Sequence, residues 1–368
     1  MPYTFTNPLS EQALAFLQRV IATPSISREE HAVVDLIESE LKALGLPVKR
    51  YGLNLVVTIT RGESKGPKLT LCTHTDTVPA NPGYTRDPHA PDIEDDKLYG
   101  LGSNDAGGPL MAMVFAAKAL LDRDDWQGTL EVALVVEEEI TGEHGAGALI
   151  EEIGMPDAAV VGEPTGLHIC VAQKGKVTLR ATNRGQACHA ANAYRIPHKN
   201  AALEAAQDIQ ALAKLSYTER DESLGPTTIN VTQIDAGVAT NTIPDTCTWM
   251  IDVRVNPAQD IAAVIEDIRA CVQAEIEPTT PLLPPYRTDE QSLIVACAQS
   301  VKPDANCYGS DAMSDSVFYR HVPVIKCGPG LTENSHRPDE FLSLRWFDAG
   351  IGFYESLALE YFKRAQAR

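Results

Sequence analysis

Four short apolar runs, at residues 68–72, 130–136, 158–161 and 323–327, alternate along the chain with segments of helical periodicity. Runs of this length rich in Val, Leu, Ala and Ile read as strands buried on both faces. Their alternation with helices predicts an α/β domain built on a largely parallel sheet. One helix is signalled with particular clarity: Val33, Val34, Ile37, Leu41 and Leu44 recur at helical spacing. Ser27 and Glu30 form a capping-box pattern ahead of them, and Gly45 stands where the helix is expected to stop.

The middle of the chain follows a different pattern, predicting strand 176–182, helix 200–215, strands 227–234 and 246–255, and helix 258–276. In the last of these strands Cys247, Trp249, Ile251, Val253 and Val255 alternate with Thr248, Asp252 and Arg254, one face apolar and the other polar. This is the signature of an inserted α+β unit. The segment 277–286, carrying Pro278, Pro281, Pro284 and Pro285, reads as the linker that returns the chain to the first domain. The expected division is 1–173 and 281–368 for a discontinuous first domain and 174–280 for the insertion. Two domains also suit 368 residues, because single cores rarely grow past roughly 250–300.

With 50 Asp and Glu against 31 Lys and Arg, the net charge of −19 repels phosphate backbones and anionic membranes, which excludes nucleic acid and lipid surfaces as partners. Residues 1–12 carry no basic stretch followed by an apolar one, and no window is long enough to cross a bilayer, so a cytoplasmic protein is expected. None of the eight cysteines is paired as C-x-x-C; they read as reduced core thiols.

Each predicted strand of the first domain runs into residues able to hold a metal. The run at 68 ends in Thr73-His74-Thr75-Asp76, the run at 130 in Glu137-Glu138-Glu139, and the run at 158 in Gly162-Glu163-Pro164. The run at 323 leads into a Gly-rich loop carrying His336. Open α/β sheets bind ligands beyond the carboxyl ends of their strands, so these groups are expected in one crevice. Asp105, within Gly102-Ser103-Asn104-Asp105-Ala106-Gly107-Gly108, is placed to join them.

Alone, Asp105 reads as a helix N-cap, and three consecutive Glu as a solvated face. Directly after an apolar strand, however, alternation turns at least one Glu inward, where an unpaired carboxylate is expensive and a cation removes the cost. Two His and several carboxylates suit Zn, with Mn or Co as substitutes, and their oxygens outnumber what one tetrahedral ion can use. Two ions sharing Asp105 would use them all. Two cations bridged in this way lie roughly 3.5–4 Å apart and lower the pKa of a water toward about 7.

The string Thr73 to Pro79, Gly100 to Asp105, the triple Glu, Val161-Gly162-Glu163-Pro164-Thr165 and Asn334-Ser335-His336 resembles the M20 family of metallo-aminopeptidases, carboxypeptidases and deacylases. Similarity is greatest to the branch of acetylornithine and acetylcitrulline deacetylases. The resemblance implies a zinc-peptidase-like catalytic domain with a ferredoxin-like inserted domain serving as lid and homodimer interface. It implies one zinc held by His74, Asp105 and Glu163 and a second by Asp105, Glu139 and His336. It further implies Glu138 as general base, Asp76 orienting His74, and His189 of Gly185-Gln186-Ala187-Cys188-His189 steadying the oxyanion in a neighbouring subunit.

Arg254 resembles the lid arginine that clamps a substrate carboxylate, with an ion pair to Asp252 as the equal alternative. Asn241 and the turn Gly309-Ser310-Asp311-Ala312 resemble substrate-side segments. The family usually carries Asp-Glu-Glu where this chain has Glu137-Glu138-Glu139, which leaves open a shift of base and ligand by one residue. The implied activity is hydrolysis of the amide of a small N-acyl amino acid, acetylornithine or acetylcitrulline in arginine biosynthesis. Succinyl-diaminopimelate desuccinylase and an M20 dipeptidase or carboxypeptidase are the alternatives. Glu138, which a structural zinc site does not require, argues for an enzyme over a binding subunit.

Overall fold

The computed structural model describes residues 3–62 and 66–367. Two compact units result, one made of Met1–Val171, Thr288–Tyr308 and Ser314–Arg368, the other of Ala172–Arg287 with Gly309–Met313. In chain order the first unit opens with helices α1 (Ser10–Ile21) and α2 (His31–Ala43) and the hairpin β1 (Val48–Tyr51) and β2 (Asn54–Arg61). Then come β3 (Lys68–His74), α3 (Gly108–Leu121), β4 (Gly128–Val135), α4 (Ala146–Ile153), β5 (Ala158–Val161) and β6 (Ile169–Gln173). The second unit holds β7 (Gly175–Arg184), α5 (Ala201–Leu212), β8 (Thr228–Ala236), β9 (Thr246–Val255), α6 (Ile261–Cys271) and β10 (Glu275–Pro278). The chain closes the first unit with α7 (Leu293–Val301), β11 (Val324–Lys326) and α8 (Leu344–Gln366).

The main sheet runs β1-β2-β4-β3-β5-β11-β6. Its four central strands β4, β3, β5 and β11 are mutually parallel, with His74 opposite Val135 and Cys72 and Lys326 both opposite Val161. The outer pairings are antiparallel. This is the mixed, largely parallel sheet expected. Its parallel register carries a functional consequence, because all four central strands deliver their carboxyl ends to the same edge. α3 is apolar on nearly every face and correspondingly buried on nearly every face, packed against α8 and against β3 and β4.

In the second unit the strand order β8-β9-β7-β10 is antiparallel throughout and the sequence order is βαββαβ, the ferredoxin-like arrangement. Cys247, Trp249, Ile251, Val253 and Val255 are buried with Val264, Ile265 and Ile268 of α6 in a core of the unit's own. Where the chain enters and leaves this unit, Lys176 and Leu283 exchange backbone hydrogen bonds of 2.8 and 3.1 Å. Tyr286 and Arg287 pair there with Gln173 and Ala172.

Two local expectations are corrected. The helix predicted to reach 276 ends at Cys271, and the edge strand β10 takes its last two predicted residues and the first two of the predicted linker. The carboxylate of Asp208 accepts the N–H groups of Gln273 and Ala274, each at 2.9 Å, which ends the helix, and Glu275-Ile276-Glu277 then alternates as a strand. The capping box of α2 does not form: Ser27 and Glu30 make no cap bond and are used elsewhere, as described below. Gly45 does follow the helix end in a left-handed conformation, at φ 74°. No helix among the described residues is long and apolar enough to cross a membrane.

Candidate metal centre

β3 ends at His74, 2% exposed. Its Nδ1–H donates to the main-chain carbonyl of Asp76 at 2.9 Å, which turns Nε2 outward from the strand. That Nε2 lies 3.3 Å from Oδ1 of Asp105. Asp105 sits in an irregular turn ahead of α3, its peptide to Ala106 is cis, and the N-cap of α3 is Gly107, so Asp105 is not the helix cap. The turn depends on glycine: Gly102 is left-handed at φ 75°, and a Cβ on Gly107 would strike the carbonyl oxygen of Gly102. The second oxygen of Asp105, Oδ2, is 3.6 Å from Nε2 of His336, which also lies 3.0 Å from the Glu139 carboxylate. The two oxygens of one carboxylate therefore face two different imidazoles.

The three Glu do not continue the strand. β4 ends at Val135, Glu137 takes a left-handed backbone at φ 59°, and Glu138–Ile140 form a single 3₁₀ turn. Turn geometry, and not strand alternation, aims these side chains. The carboxylate of Asp76 fixes the turn by accepting the N–H of Glu138 at 3.1 Å and of Glu139 at 3.2 Å, and it also takes the Ser27 hydroxyl at 2.7 Å. Glu30 accepts the N–H of Glu137 at 3.0 Å. Glu137 itself turns away, its carboxylate 3.4 Å from the N–H of His144. Ligand-capable atoms of His74, Glu138 and Glu163 fall within 4.8 Å of one another, as do those of His74, Asp105 and Glu139.

Charge is concentrated here. Burial, reinforced by the field of Asp105, pushes the Glu163 carboxyl up to about 8, against the pull of His74 and Lys326. Burial and the field of Glu163 hold Glu138 well above the usual carboxylate range. Burial opposes a charge on His74, but its bonds to Asp105 and Asp76 and the fields of Glu138 and Glu163 prevail and raise it well above its ordinary value. Glu138 and Glu163 thus resist ionisation, while Asp105, against its burial, is held below its ordinary value by His74. This nest of imidazole nitrogens and carboxylate oxygens is the donor set divalent cations occupy, and its residues fit such ions.

Sequence reasoning missed three contributors. Asp315, 4% exposed and pushed up to about 7 by burial, lies within the field of His74. Glu30, which stands in the capping-box pattern, holds the Glu137 N–H instead. Glu340, 2% exposed, accepts the N–H groups of Asn104 at 2.9 Å and Asp105 at 3.0 Å. Only Glu340 carried a signal, since it follows His336 by four residues in the same loop.

The remaining predicted residues belong to the second unit. His189 is exposed and its Nδ1 accepts the N–H of Ala191 at 3.1 Å. Asn241 is exposed and its carbonyl accepts the N–H of Ala190 at 2.9 Å. Arg254 is held by Asp252 through bonds of 2.9 and 3.3 Å. Asp311 of the Gly309–Ala312 turn pairs with Lys174 at 3.0 Å.

A family model described as Peptidase family M20/M25/M40 matches residues 70–360. The chain is 28% identical to a succinyl-diaminopimelate desuccinylase of Rhizorhabdus wittichii, covering 94% of this chain and 96% of that one. It is 28% identical to an acetylornithine deacetylase of Proteus mirabilis, covering 90% and 92%. Among solved structures, an M20 family metallo-carboxypeptidase from Sulfolobus solfataricus superposes with a TM-score of 0.74 at 20% identity over 95% of this chain and 99% of that one. A dinuclear metal-binding peptidase of the M20 family from Bacillus subtilis also reaches 0.74, at 17% identity over 96% and 99%.

Proposed function

Because the chain belongs to peptidase family M20/M25/M40 and is a metal-dependent hydrolase of amide bonds, we propose that it removes the acyl group from a small N-acyl amino acid. The substrate we assign is acetylornithine or acetylcitrulline, within arginine biosynthesis, in the cytoplasm. The observation that carries the reading is Asp105, whose oxygens lie 3.3 Å from His74 and 3.6 Å from His336, the disposition a shared ligand requires.

We assign His74, Asp105 and Glu163 to one ion and Asp105, Glu139 and His336 to the other, both zinc, with cobalt or manganese as substitutes. When bound, such a pair polarises the acyl carbonyl and lowers the pKa of a water. Glu138 takes the proton of that water as its oxygen bonds to the carbonyl carbon, and returns it to the nitrogen as the C–N bond breaks. Asp76 fixes this base by holding its N–H and keeps His74 in one tautomer through its own carbonyl. Arg254, exchanging Asp252, is assigned to the substrate carboxylate, and Asn241 to the substrate side of the site. His189 is assigned to the oxyanion in a homodimer formed through the inserted domain.

A desuccinylase reading has the support of the 28% identity over nearly the full chain. It keeps every metal-side assignment and changes the acyl group and the amino acid that carries it, as does a dipeptidase or carboxypeptidase. The test is a panel of acetylated and succinylated amino acids and of dipeptides, each incubated with the protein before and after chelation and after zinc is restored. Turnover of acetylornithine or acetylcitrulline above the others, abolished by chelation, is the expected result. Preference for a succinyl amide or a peptide would replace the substrate assignment, and turnover indifferent to chelation would remove the metal mechanism.

A further inference from the structure

Asp105 and His336 come from loops about 230 residues apart in sequence, yet they must keep a fixed distance if they are to share an ion. Glu340 bridges those loops. It stands four residues after His336, immediately before the short strand Phe341–Ser343, and its Oε1 accepts two successive N–H groups, from Asn104 and from Asp105 itself. Its main-chain carbonyl accepts the N–H of Gly100 at 3.0 Å, at the head of the same turn. Asn104 returns the tie: its Nδ2 donates to the Leu331 carbonyl at 3.0 Å and to Ser335 Oγ at 3.1 Å, and its Oδ1 accepts the Leu331 N–H at 2.9 Å. None of these bonds involves a side chain assigned to a metal.

We propose that Glu340 is a positioning residue that sets the bridging carboxylate of Asp105 against His336, and so controls retention of the ion assigned to Asp105, Glu139 and His336. The inference rests on the two-ion reading above. That ion takes two of its three assigned protein ligands from the tethered loops, whereas the other takes one. Loosening the tether therefore weakens the ion assigned to Asp105, Glu139 and His336 selectively.

The experiment is a zinc titration of the metal-free full chain against a chromophoric chelator, resolving two binding steps, for wild type, Glu340→Ala, Glu340→Gln and His336→Ala. Supporting groups behind metal ligands are worth roughly 10- to 100-fold in affinity. In E340A the step that His336→Ala abolishes is expected to weaken by that factor while the other step changes less than threefold. E340Q keeps an acceptor oxygen and is expected to restore both steps. kcat of E340A is expected to recover in excess zinc with KM unchanged. Equal weakening of both steps, wild-type affinities in E340A, or a loss in E340Q as large as in E340A would each overturn the inference while leaving the two-ion reading intact. A wild-type protein that takes up fewer than two ions would remove that reading and the inference with it. If E340A does not fold, Asn104→Ala, which removes the side-chain bonds from the Asp105 turn to Leu331 and Ser335 but keeps the N–H that Glu340 accepts, loosens the same two loops and is expected to show the same selective loss.

Discussion

At the scale of single residues, Glu138 is the group on which the chemistry turns. Its N–H is anchored on Asp76 and its carboxyl lies in the field of Glu163 and His74. Glu138→Ala is expected to retain two zinc ions by metal analysis while kcat falls by roughly 10²- to 10⁴-fold, the usual worth of a general base. Near-normal turnover would dismiss it as the base, and loss of an ion would point to the assignment shifted by one residue. The residues at strand ends were legible because a parallel sheet brings every carboxyl end to one edge, so that a His or Glu just beyond an apolar run is placed by topology alone. The aim of the three Glu was not legible. It depends on a left-handed backbone at Glu137 and on a side-chain clamp from Asp76, and neither leaves a periodic trace. Ser27 and Glu30 show the opposite failure, a helix-start pattern spent on holding the site.

Among elements, α8 does more than pack against α3. Its buried Asp348 accepts bonds from Thr6 N–H at 2.9 Å, the Thr6 hydroxyl at 2.6 Å, Asn7 N–H at 3.0 Å and the Ser10 hydroxyl at 2.6 Å, pinning the start of the chain to its last helix. Burial pushes the Asp348 carboxyl up, but the bonds from Ser10 and Thr6 prevail and hold it below its ordinary value. With a folded pKa below the unfolded value of about 3.9, its stabilisation is complete above that value and is lost as pH falls through the folded one. Asp348→Ala is therefore expected to lower stability by about 2–4 kcal/mol in urea at pH 7, with the gap from wild type narrowing as pH falls below about 3.9. A gap independent of pH would show that the carboxylate charge is not its source. β10 marks the limit of element-level reading. Four prolines between 278 and 285 drew attention to a linker and hid a strand of four residues, whose pattern is too short to register beside them.

For the whole molecule, the change from strand–helix alternation to a βαββαβ unit is visible in the sequence because each unit buries its own core. Every residue assigned to a metal lies in the first unit. Ligand binding raises the stability of the part that binds, by RT ln(1 + [L]/Kd). Calorimetry of the chelated protein is thus expected to show two transitions, only one of which moves upward when zinc is added. A single transition, or an equal shift of both, would mean that the units do not unfold independently.

The pairing of Lys176 with Leu283, and of Gln173 and Ala172 with Tyr286 and Arg287, bears on how the protein is made. β11, which sits inside the main sheet, and α8, which covers α3, both follow the inserted unit in the chain. The main sheet must wait, incomplete, until the segments beyond the inserted unit have emerged. The inserted unit need not wait, and once folded it draws its two flanking segments together. A closure spanning more than a hundred residues is thereby reduced to a short one, and the entropy of that long loop no longer stands against the final strand.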